Sequence, residues 1–575
     1  MRHRMFLLLI AVAFSLPTAS VVEKAHSQTA HPSDLPLRDS VSIDGITWTF
    51  SQAVPVGRFV NGDYYVVGTV TVVNINPLPT ASNGRHGSVL NMPVNNSQLS
   101  PFDSRVAANR YAPQLRIYPP FTMHPGDALI SSISVNQIGD YPPWLREGEE
   151  TPDSPVRTVS VLTCLAAEVS ADAFRPSYAD RGQMLYYANP MHRNLLPQLP
   201  RVAHTPDVAV FASHFRRPWL DICFFGFDAA VEYQATYGRE VGRSVGMASL
   251  LLTLDFSPAE KEQLLINLVQ YGIDLWGIVR AGYFGWPAHG GHGTGRKWPI
   301  IFAGLMLGDP DMQAPTGTYP ALRFGEDMQT MMDNGWTGAD VVYAGHQGVW
   351  NNQAVSSTPS WGPYENLPPS LWASTFSGDP NYHIGEDYRR CCTSIAWIGE
   401  GLAARIMHTE TLWNHDPFFD YVDRWMTEND AAAVATIRAA TGLDYSAGWE
   451  RQGQAWDQFV EEMWSAYRNN LPQGATGSTA PARYQLSQNY PNPFNAATLI
   501  SYTIAGSREN GVGSKEVKLA VYDLLGREVA TLVNERKPPG SYSVRFDASG
   551  LASGAYYYRI QVGDFVHTRK LVLLK

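Results

Sequence analysis

Cysteine is scarce in this chain, with four in 575 residues. Small domains that depend on disulfide bonds for their stability contain far more, so a disulfide scaffold is excluded. Two of the four, Cys391 and Cys392, are adjacent in sequence, and on an α-helix their side chains would point about 100° apart. That spacing is a poor metal site. We therefore predict that both are buried small apolar residues.

Long apolar runs and clusters of positive charge are also missing. The apolar stretch at residues 6–14 is far shorter than the roughly 20 residues that a membrane-spanning helix needs, and no later stretch is longer. Lys and Arg total 43 against 53 for Asp and Glu, a net charge of −10. An acidic chain without a basic patch has no face for a phosphate backbone, so we predict no nucleic-acid partner and no transmembrane segment.

The first residues have the pattern of an export signal. Arg2 and Arg4 precede the apolar stretch, and small residues follow it, with cleavage expected after Ser20 or Ser27. A buried N-terminal helix is the alternative. We predict a signal peptide over residues 1–27.

The chain changes character after about residue 470. Residues 471–482 are rich in Gly, Pro, Ser and Thr, which predicts a flexible linker. Beyond it, short segments of alternating apolar and polar residues are separated by turn residues such as Leu525-Gly526. We predict a small antiparallel β-sandwich over residues 484–575, with strands at residues 499–504, 517–523, 542–546, 555–562 and 565–574.

Three motifs in this last region point to a known family. They are Tyr490-Pro-Asn-Pro-Phe-Asn495, Val521-Tyr-Asp-Leu-Leu-Gly-Arg-Glu-Val529 and a segment at residues 547–559. With the basic and apolar end of the chain, residues 488–575 resemble the C-terminal sorting domain of the type IX secretion system. The resemblance implies a bacterium of the Bacteroidetes or a related group, and secretion or surface display through the type IX machinery. It indicates where the preceding cargo goes and not what the cargo does.

The cargo begins with a β-rich region. Residues 41–170 contain β-branched and alternating segments, at 46–50, 64–75, 128–135 and 156–165, with Gly, Pro and Asn between them. We predict a β-sandwich. Such a module either binds glycans or braces the next domain, and bracing is the favoured interpretation.

Residues 205–470 change to helical periodicity. Ser257-Pro258-Ala259-Glu260 combines an N-cap, a proline at the first helical position and a glutamate three residues after the cap, which predicts a helix start. Further helices are predicted at residues 240–254, 298–307, 388–407, 415–427, 431–440 and 454–468. Several helices joined by long aromatic loops resemble the architecture of α/α-toroid carbohydrate-active enzymes. We therefore predict a multidomain protein whose central domain is all-α and toroid-like.

One candidate segment is a glycine-rich loop directly before a predicted helix. It contains His289, His292 and Arg296, which are catalytic candidates, and Trp286 and Trp298, which are candidates for stacking on sugar rings. Two histidines three residues apart with no third ligand are a weak metal signal, and we predict no metal and no cofactor. A tight loop whose histidines cap a helix is the structural alternative.

A second candidate segment precedes the predicted helix at residues 388–407. Glu386, Asp387, Tyr388 and Arg389 are catalytic candidates there, and His383 is a substrate-binding candidate. Asp387 is the expected N-cap. Arginine in the first turn opposes the helix dipole, so the arginines need anionic partners, either neighbouring carboxylates or an acidic substrate.

We interpret the cargo as a secreted polysaccharide-degrading enzyme. A glycoside hydrolase needs two carboxyl groups at the scissile bond. A polysaccharide lyase needs a Tyr or His base and a group that neutralises the uronate, and the two segments contain these residue types. The choice between them stays open. The alternative is a non-catalytic secreted protein that binds glycan or mediates adhesion.

Overall fold

The fold is given by a computed structural model of the chain. It describes residues 35–574 except for 95–98, 107–109, 138–154, 222–236, 352, 356–360, 373–383, 470–483, 487–488, 490–491, 496, 505–514, 538–539 and 564. The predicted signal peptide, the predicted linker and His383 lie outside the described residues. Three regions follow one another: a β-rich region, a helical region and a second, smaller β region.

The N-terminal region forms an eight-stranded sheet. Its strands are β1 Leu37–Ile43, β2 Ile46–Arg58, β3 Tyr64–Val67, β4 Val70–Asn76, β5 Ser88–Leu90, β6 Phe121–Met123, β7 Ala128–Ser134 and β8 Val156–Leu165. The order is β5-β7-β8-β3-β2-β4-β6, with β1 paired to β2. All pairs are antiparallel except β3 with β8. The predicted strands at 46–50, 128–135 and 156–165 are confirmed, whereas the run at 64–75 is divided at Gly68, whose φ is 82°.

One hydrophobic core joins this sheet to the helices. Ile130 and Val159 belong to the same buried cluster as Leu268 and Leu402 of the helical region. Residues that alternate with them along the strands, among them Leu129 and Leu162, pack with Trp48 on the other face of the sheet. The β-rich region therefore braces the helical region through a shared core.

An ion-pair triad crosses the same junction. Arg175 is fully buried and donates from Nε to Asp63, which follows β2, at 2.5 Å. Its two terminal nitrogens donate to the carboxylate of Asp274 at 3.0 and 2.5 Å. Because removing one partner of such a group leaves an uncompensated buried charge, the triad holds the two regions in one register.

The helical region contains α1 Val208–His214, α2 Gly238–Leu252, α3 Pro258–Arg280, α4 Lys297–Leu307, α5 Pro310–Gln313, α6 Pro315–Thr318, α7 Gly325–Gln329, α8 Ile384–Tyr388, α9 Ile398–Ile406, α10 Glu410–Trp413, α11 Asp416–Thr427, α12 Asp430–Thr441 and α13 Gln458–Tyr467. The predicted capping box is present at the start of α3, where Ser257 and Glu260 satisfy each other's backbone N–H groups. The toroidal arrangement of these helices stays a prediction.

Short strand pairs connect the helices, so the region is not purely α. They are β9 Gly285–Trp286 with β10 Arg323–Phe324, β11 Thr330–Met332 with β12 Val341–Tyr343, and β13 Val349–Trp350 with β14 Gln353–Ala354. These pairs fold the long connections around the start of α4.

The predicted continuous helix at residues 388–407 is wrong. After α8 the chain winds as a π-helix over Arg389–Thr393 and as a 3₁₀-helix over Ser394–Ala396 before α9 begins. Cys391 and Cys392 are joined by a disulfide bond and are not two separate buried thiols. Adjacent side chains diverge on an α-helix, so bonding the two sulfurs requires a different winding.

The C-terminal region has a core of its own. Its strands are β15 Gln485–Leu486, β16 Ala497–Ile504, β17 Lys515–Tyr522, β18 Glu528–Lys537, β19 Gly540–Asp547, β20 Gly554–Val562 and β21 Phe565–Leu573. They form two antiparallel sheets, β15-β16-β19 and β18-β17-β20-β21, around a cluster that includes Phe494 and Tyr558. All five predicted strands are present, and β15 and β18 are two additional ones. Across the described residues, no helix is long and apolar enough to cross a membrane.

Candidate functional site

Three histidines meet where the glycine-rich loop reaches the start of α4. The ring of His289 lies 4.6 Å from that of His346 and 5.7 Å from that of His292, measured between centroids. The loop is held against the segment after β12 by the Gly290 N–H, which donates to the His346 carbonyl at 2.9 Å. The Gln329 side-chain amide donates hydrogen bonds to the carbonyl oxygens of Gly290 and His346, at 3.0 Å each.

Two glycines allow this close packing. Gly290 has a φ of 54°, and a Cβ there would collide with the ring of Tyr388. A Cβ on Gly291 would collide with the carbonyl oxygen of Cys392. Glycine at these positions therefore brings the loop directly onto the turn at residues 388–392.

Aromatic side chains complete the cluster. The Tyr388 ring stands edge-on to His346 at 4.3 Å, and Tyr237 stands edge-on to His292 at 4.6 Å. Trp361 lies 4.8 Å from His346. Tyr237, His289, His292, Trp361 and Tyr388 are all half-buried. The cluster thus has an accessible face made of imidazole, phenol and indole groups.

Burial keeps the imidazoles neutral. It lowers the pKa of His346 and of His292 to about 3 in each case, with the neighbouring His289 as a further cause. The pKa of His289 is lowered for the same reason. Burial also raises the pKa of Tyr237. At neutral pH the site therefore offers neutral imidazoles, which accept protons, beside protonated phenols, which donate them.

Arg296 lies beneath the loop and not on its accessible face. It is 1% exposed and donates to Asp221 at 2.8 Å. Its Nη1 also donates to the carbonyls of His292 and Thr294, at 3.0 and 2.7 Å. The guanidinium therefore shapes the loop from within.

The two predicted sugar-stacking tryptophans are core residues. Trp286 donates its indole N–H to the Asp221 carbonyl at 3.1 Å and is 1% exposed. Trp298 is fully buried, donates to the Ser249 hydroxyl at 2.7 Å and stacks on Trp413. Trp361, which was not predicted from the sequence, supplies a half-buried indole at this site instead.

Glu386 and Arg389 lie in a buried ion-pair network. Glu386 receives hydrogen bonds from Arg390 at 2.7 Å, from Arg389 at 3.2 Å and from the Tyr364 hydroxyl at 2.6 Å. Arg389 also pairs with Glu365 at 3.4 Å. The anionic partners that these arginines need are therefore protein carboxylates.

Asp387 is inside α8 and is not the expected N-cap. It accepts a hydrogen bond from the Tyr445 hydroxyl at 2.7 Å. Burial, with Glu386 nearby, raises its pKa to about 6. Asp387 and Arg389 are therefore neighbours of Tyr388 in sequence, but their side chains contact other residues than the Tyr388 ring does.

A second buried pair of carboxyl groups lies below the loop. Glu326 and Glu400 are both fully buried, and burial raises the pKa of both: that of Glu326 to about 7, with Asp327 as a further cause, and that of Glu400 with Glu326 as a further cause. The Gly295 N–H donates to Glu326 at 2.5 Å. Two carboxyl groups that cannot both ionise share a proton, and here the sharing occurs away from the accessible face.

A Gly-x-Ser-x-Gly string occurs at Gly242–Gly246, but it does not form a hydrolase nucleophile. Ser244 is fully buried in the middle of α2 and donates to the Glu240 carbonyl at 2.6 Å. A nucleophile elbow needs a sharp strand-to-helix turn that exposes the serine oxygen.

Three residues of the cluster were not predicted from the sequence: His346, Tyr237 and Trp361. His346 lies in a second glycine-rich segment, Gly345-His346-Gln347-Gly348. A histidine in such a segment is the sequence signal that could have identified it. In the part of the chain that the structure describes, no group of three or more His, Cys, Asp or Glu side chains is arranged to hold a metal ion.

Comparison with known families identifies one region. Residues 488–574 match the family described as the secretion system C-terminal sorting domain, which confirms the resemblance of that region. The match indicates secretion to the outer surface or the extracellular space, and interaction with the type IX secretion machinery. No curated protein matches the chain.

Proposed function

We propose that the exported cargo is a polysaccharide-degrading enzyme and that the cluster of His289, His292, His346 and Tyr388 is its active site. The observation that carries this proposal is the edge-on contact of the half-buried Tyr388 ring with the buried ring of His346, at 4.3 Å, with the half-buried His289 ring 4.6 Å from His346. A base and an acid within reach of one another at an accessible face are what proton transfer to and from a substrate requires.

The chemistry of these groups favours a lyase. In a β-elimination, a base removes the proton from the carbon next to the uronate carboxylate, the glycosidic C–O bond breaks, and a carbon–carbon double bond forms. The half-buried imidazole of His289 would take the proton, because His346 is 1% exposed and its pKa of about 3 makes it a poor base. The Tyr388 phenol would give a proton to the departing oxygen. The half-buried cation on this side is Arg239, whose guanidinium lies 5.8 Å from the Tyr237 ring; it is paired with Glu240 at 2.5 Å and would have to exchange that carboxylate for the uronate.

The carboxyl groups give less support to a glycoside hydrolase. Asp221 is paired with Arg296, Asp327 with Lys297, and Glu386 with Arg389 and Arg390. Asp387 is the half-buried carboxyl group next to the cluster, with a pKa of about 6. Within the described ranges, which leave out residues 222–236, this single carboxyl group does not supply the pair that hydrolysis needs.

The test is incubation of the purified protein with a panel of neutral and uronate-containing polysaccharides. A lyase produces an unsaturated uronate with new ultraviolet absorbance. Tyr388→Phe and His289→Gln are expected to lower turnover by roughly 10²-fold or more, because each removes one proton-transfer group. Arg438→Ala, which alters an exposed ion pair, is the control and should retain wild-type turnover.

Three results would contradict the proposal. New reducing ends without the unsaturated product would indicate a hydrolase. Retention of a glycan without turnover would indicate the non-catalytic binding protein. Full activity of His289→Gln and Tyr388→Phe would place the active site elsewhere.

A further inference from the structure

The Cys391–Cys392 disulfide lies in the turn that directly follows Tyr388. The bond closes a small ring around the peptide that links the two residues. It falls within the π-helix over Arg389–Thr393. Single π-helical turns inside helices are rare and are found mostly at functional sites.

This turn contacts the candidate site on two sides. The carbonyl of Cys392 packs against Gly291 of the glycine-rich loop. The carbonyl of Cys391 accepts a hydrogen bond from Arg239 Nη1 at 2.7 Å. The disulfide therefore sits between the half-buried cation and the loop that carries His289 and His292.

The π-helical register sets where Tyr388 points. The backbone is π-helical over Arg389–Thr393, and the Thr393 hydroxyl at its end donates to the carbonyls of Tyr388 and Arg389, at 2.9 and 3.3 Å. A π-turn contains more residues than an α-turn. If residues 389–393 rewound as an α-helix, Tyr388 would rotate about the helix axis relative to Thr393 and leave its position against His346.

We infer that the Cys391–Cys392 disulfide positions Tyr388 against His346, so that this site is completed only after the cysteines are oxidised outside the cytoplasm. The catalytic consequence rests on the proposed function, whereas the positional effect does not. Disulfides are rare in the cytoplasm and persist in the compartments to which exported proteins go, and the sorting domain places this chain among exported proteins.

The oxidation step is an ordinary thiol–disulfide exchange. The two thiols lose two electrons and two protons as the S–S bond forms. A disulfide-bonded oxidoreductase or a small-molecule disulfide in the outer compartment accepts them and becomes two thiols.

The redox state can be read directly. Cleavage by trypsin after Arg390 and Arg405 releases the peptide 391–405, which is lighter by two hydrogen atoms when the disulfide is present. The full chain is prepared oxidised and after treatment with dithiothreitol. The variant Cys391→Ala/Cys392→Ala serves as a form that cannot be oxidised. Cys164→Ala changes a thiol buried in β8 and is the matched control.

The position of Tyr388 is read from the histidine ring signals in nuclear magnetic resonance spectra of histidine-labelled protein, with His346→Gln used for assignment. The ring of Tyr388 shifts the His346 signals because it stands 4.3 Å away. We expect reduction and the double alanine variant to move the His346 signals in the same way, and Cys164→Ala to leave them in place. Turnover should fall at least about tenfold in the reduced form, since a displaced acid contributes little.

Two outcomes would overturn the inference. Unchanged His346 signals after complete reduction would show that the disulfide does not position Tyr388. Loss of the far-ultraviolet circular dichroism signal on reduction would show that the bond stabilises the whole fold instead. Shifted His346 signals in a protein that cleaves no glycan in either redox state would support the positioning role and contradict the proposed function.

Discussion

Tyr388 and Arg389 are neighbours in sequence, yet they face two very different polar clusters. Tyr388 faces His346, a buried and neutral histidine, which in turn contacts the half-buried His289. Arg389 faces a buried network of Glu386, Glu365 and Glu428. Charges can be buried only when counter-charges accompany them, and groups committed to each other are not available to a ligand. Neutral imidazoles and phenols can remain at an accessible face, which is why the functional proposal rests on the Tyr388 side.

The largest expected effect is a loss of stability when the buried ion-pair network of Arg389 is disrupted. Arg389→Ala leaves Glu365 and Glu386 short of a partner in a buried site, so we expect it to lower the free energy of unfolding by about 3–5 kcal/mol. Chemical denaturation measures the change. Arg438→Ala, which removes an exposed ion pair with Asp444, should change it by less than about 1 kcal/mol. Equal effects of the two substitutions would contradict the assignment of the network as structural.

An effect of intermediate size is expected on the pH dependence of stability, through His346 in the cluster of neutral histidines. The pKa of His346 is about 3 in the folded protein and near its ordinary value of 6.5 in the unfolded chain. The unfolded chain therefore binds more protons below pH 6.5, and the contribution of His346 to stability is present above that pH and is lost as the pH falls toward 3. His346→Gln should reduce the stability lost between pH 7 and pH 5 by about 2 kcal/mol.

Thermal or denaturant unfolding at several pH values checks this expectation. Arg438→Ala, which alters an exposed ion pair outside the cluster, is the comparison and should leave the pH slope between pH 7 and pH 5 near that of the wild type. A His346→Gln protein with an unchanged slope would mean that folding does not lower the pKa of His346.

The smallest expected effect is that of Tyr388→Phe on stability. The substitution removes one hydroxyl group from a half-buried ring, so the free energy of unfolding should change by only about 1 kcal/mol. Equilibrium denaturation beside the activity assay tests this directly. A loss as large as that of Arg389→Ala would make Tyr388 a structural residue and remove the contrast between the two clusters.

Much of the local structure was predictable. The capping signal at Ser257 and the helical periodicity after it predict α3, and alternation predicts β8 and the strands of the sorting domain. These features depend on residues close together in the chain. The predicted helix at residues 388–407 failed, because the bond between Cys391 and Cys392 overrides periodicity in a way that residue spacing does not reveal.

The candidate site was predictable only in part. His289, His292 and Tyr388 were predicted and are brought together, whereas His346 and Tyr237 were missed. Arg296 and Glu386 were predicted from residue type, and the structure places them in buried ion pairs. Residue type indicates what a side chain can do. It does not indicate which partner arrives from a distant part of the chain.

The sequence by itself determined the destination of this protein and most of its strands and helices. The sorting motifs are contiguous, and secondary structure follows from short-range spacing, so both can be read along the chain. Only the tertiary structure decided which polar residues meet counter-charges and which stay neutral at an accessible face. That choice depends on burial and on contacts between residues such as His289 and His346, which are 57 positions apart by number (346 − 289) and 4.6 Å apart between ring centroids.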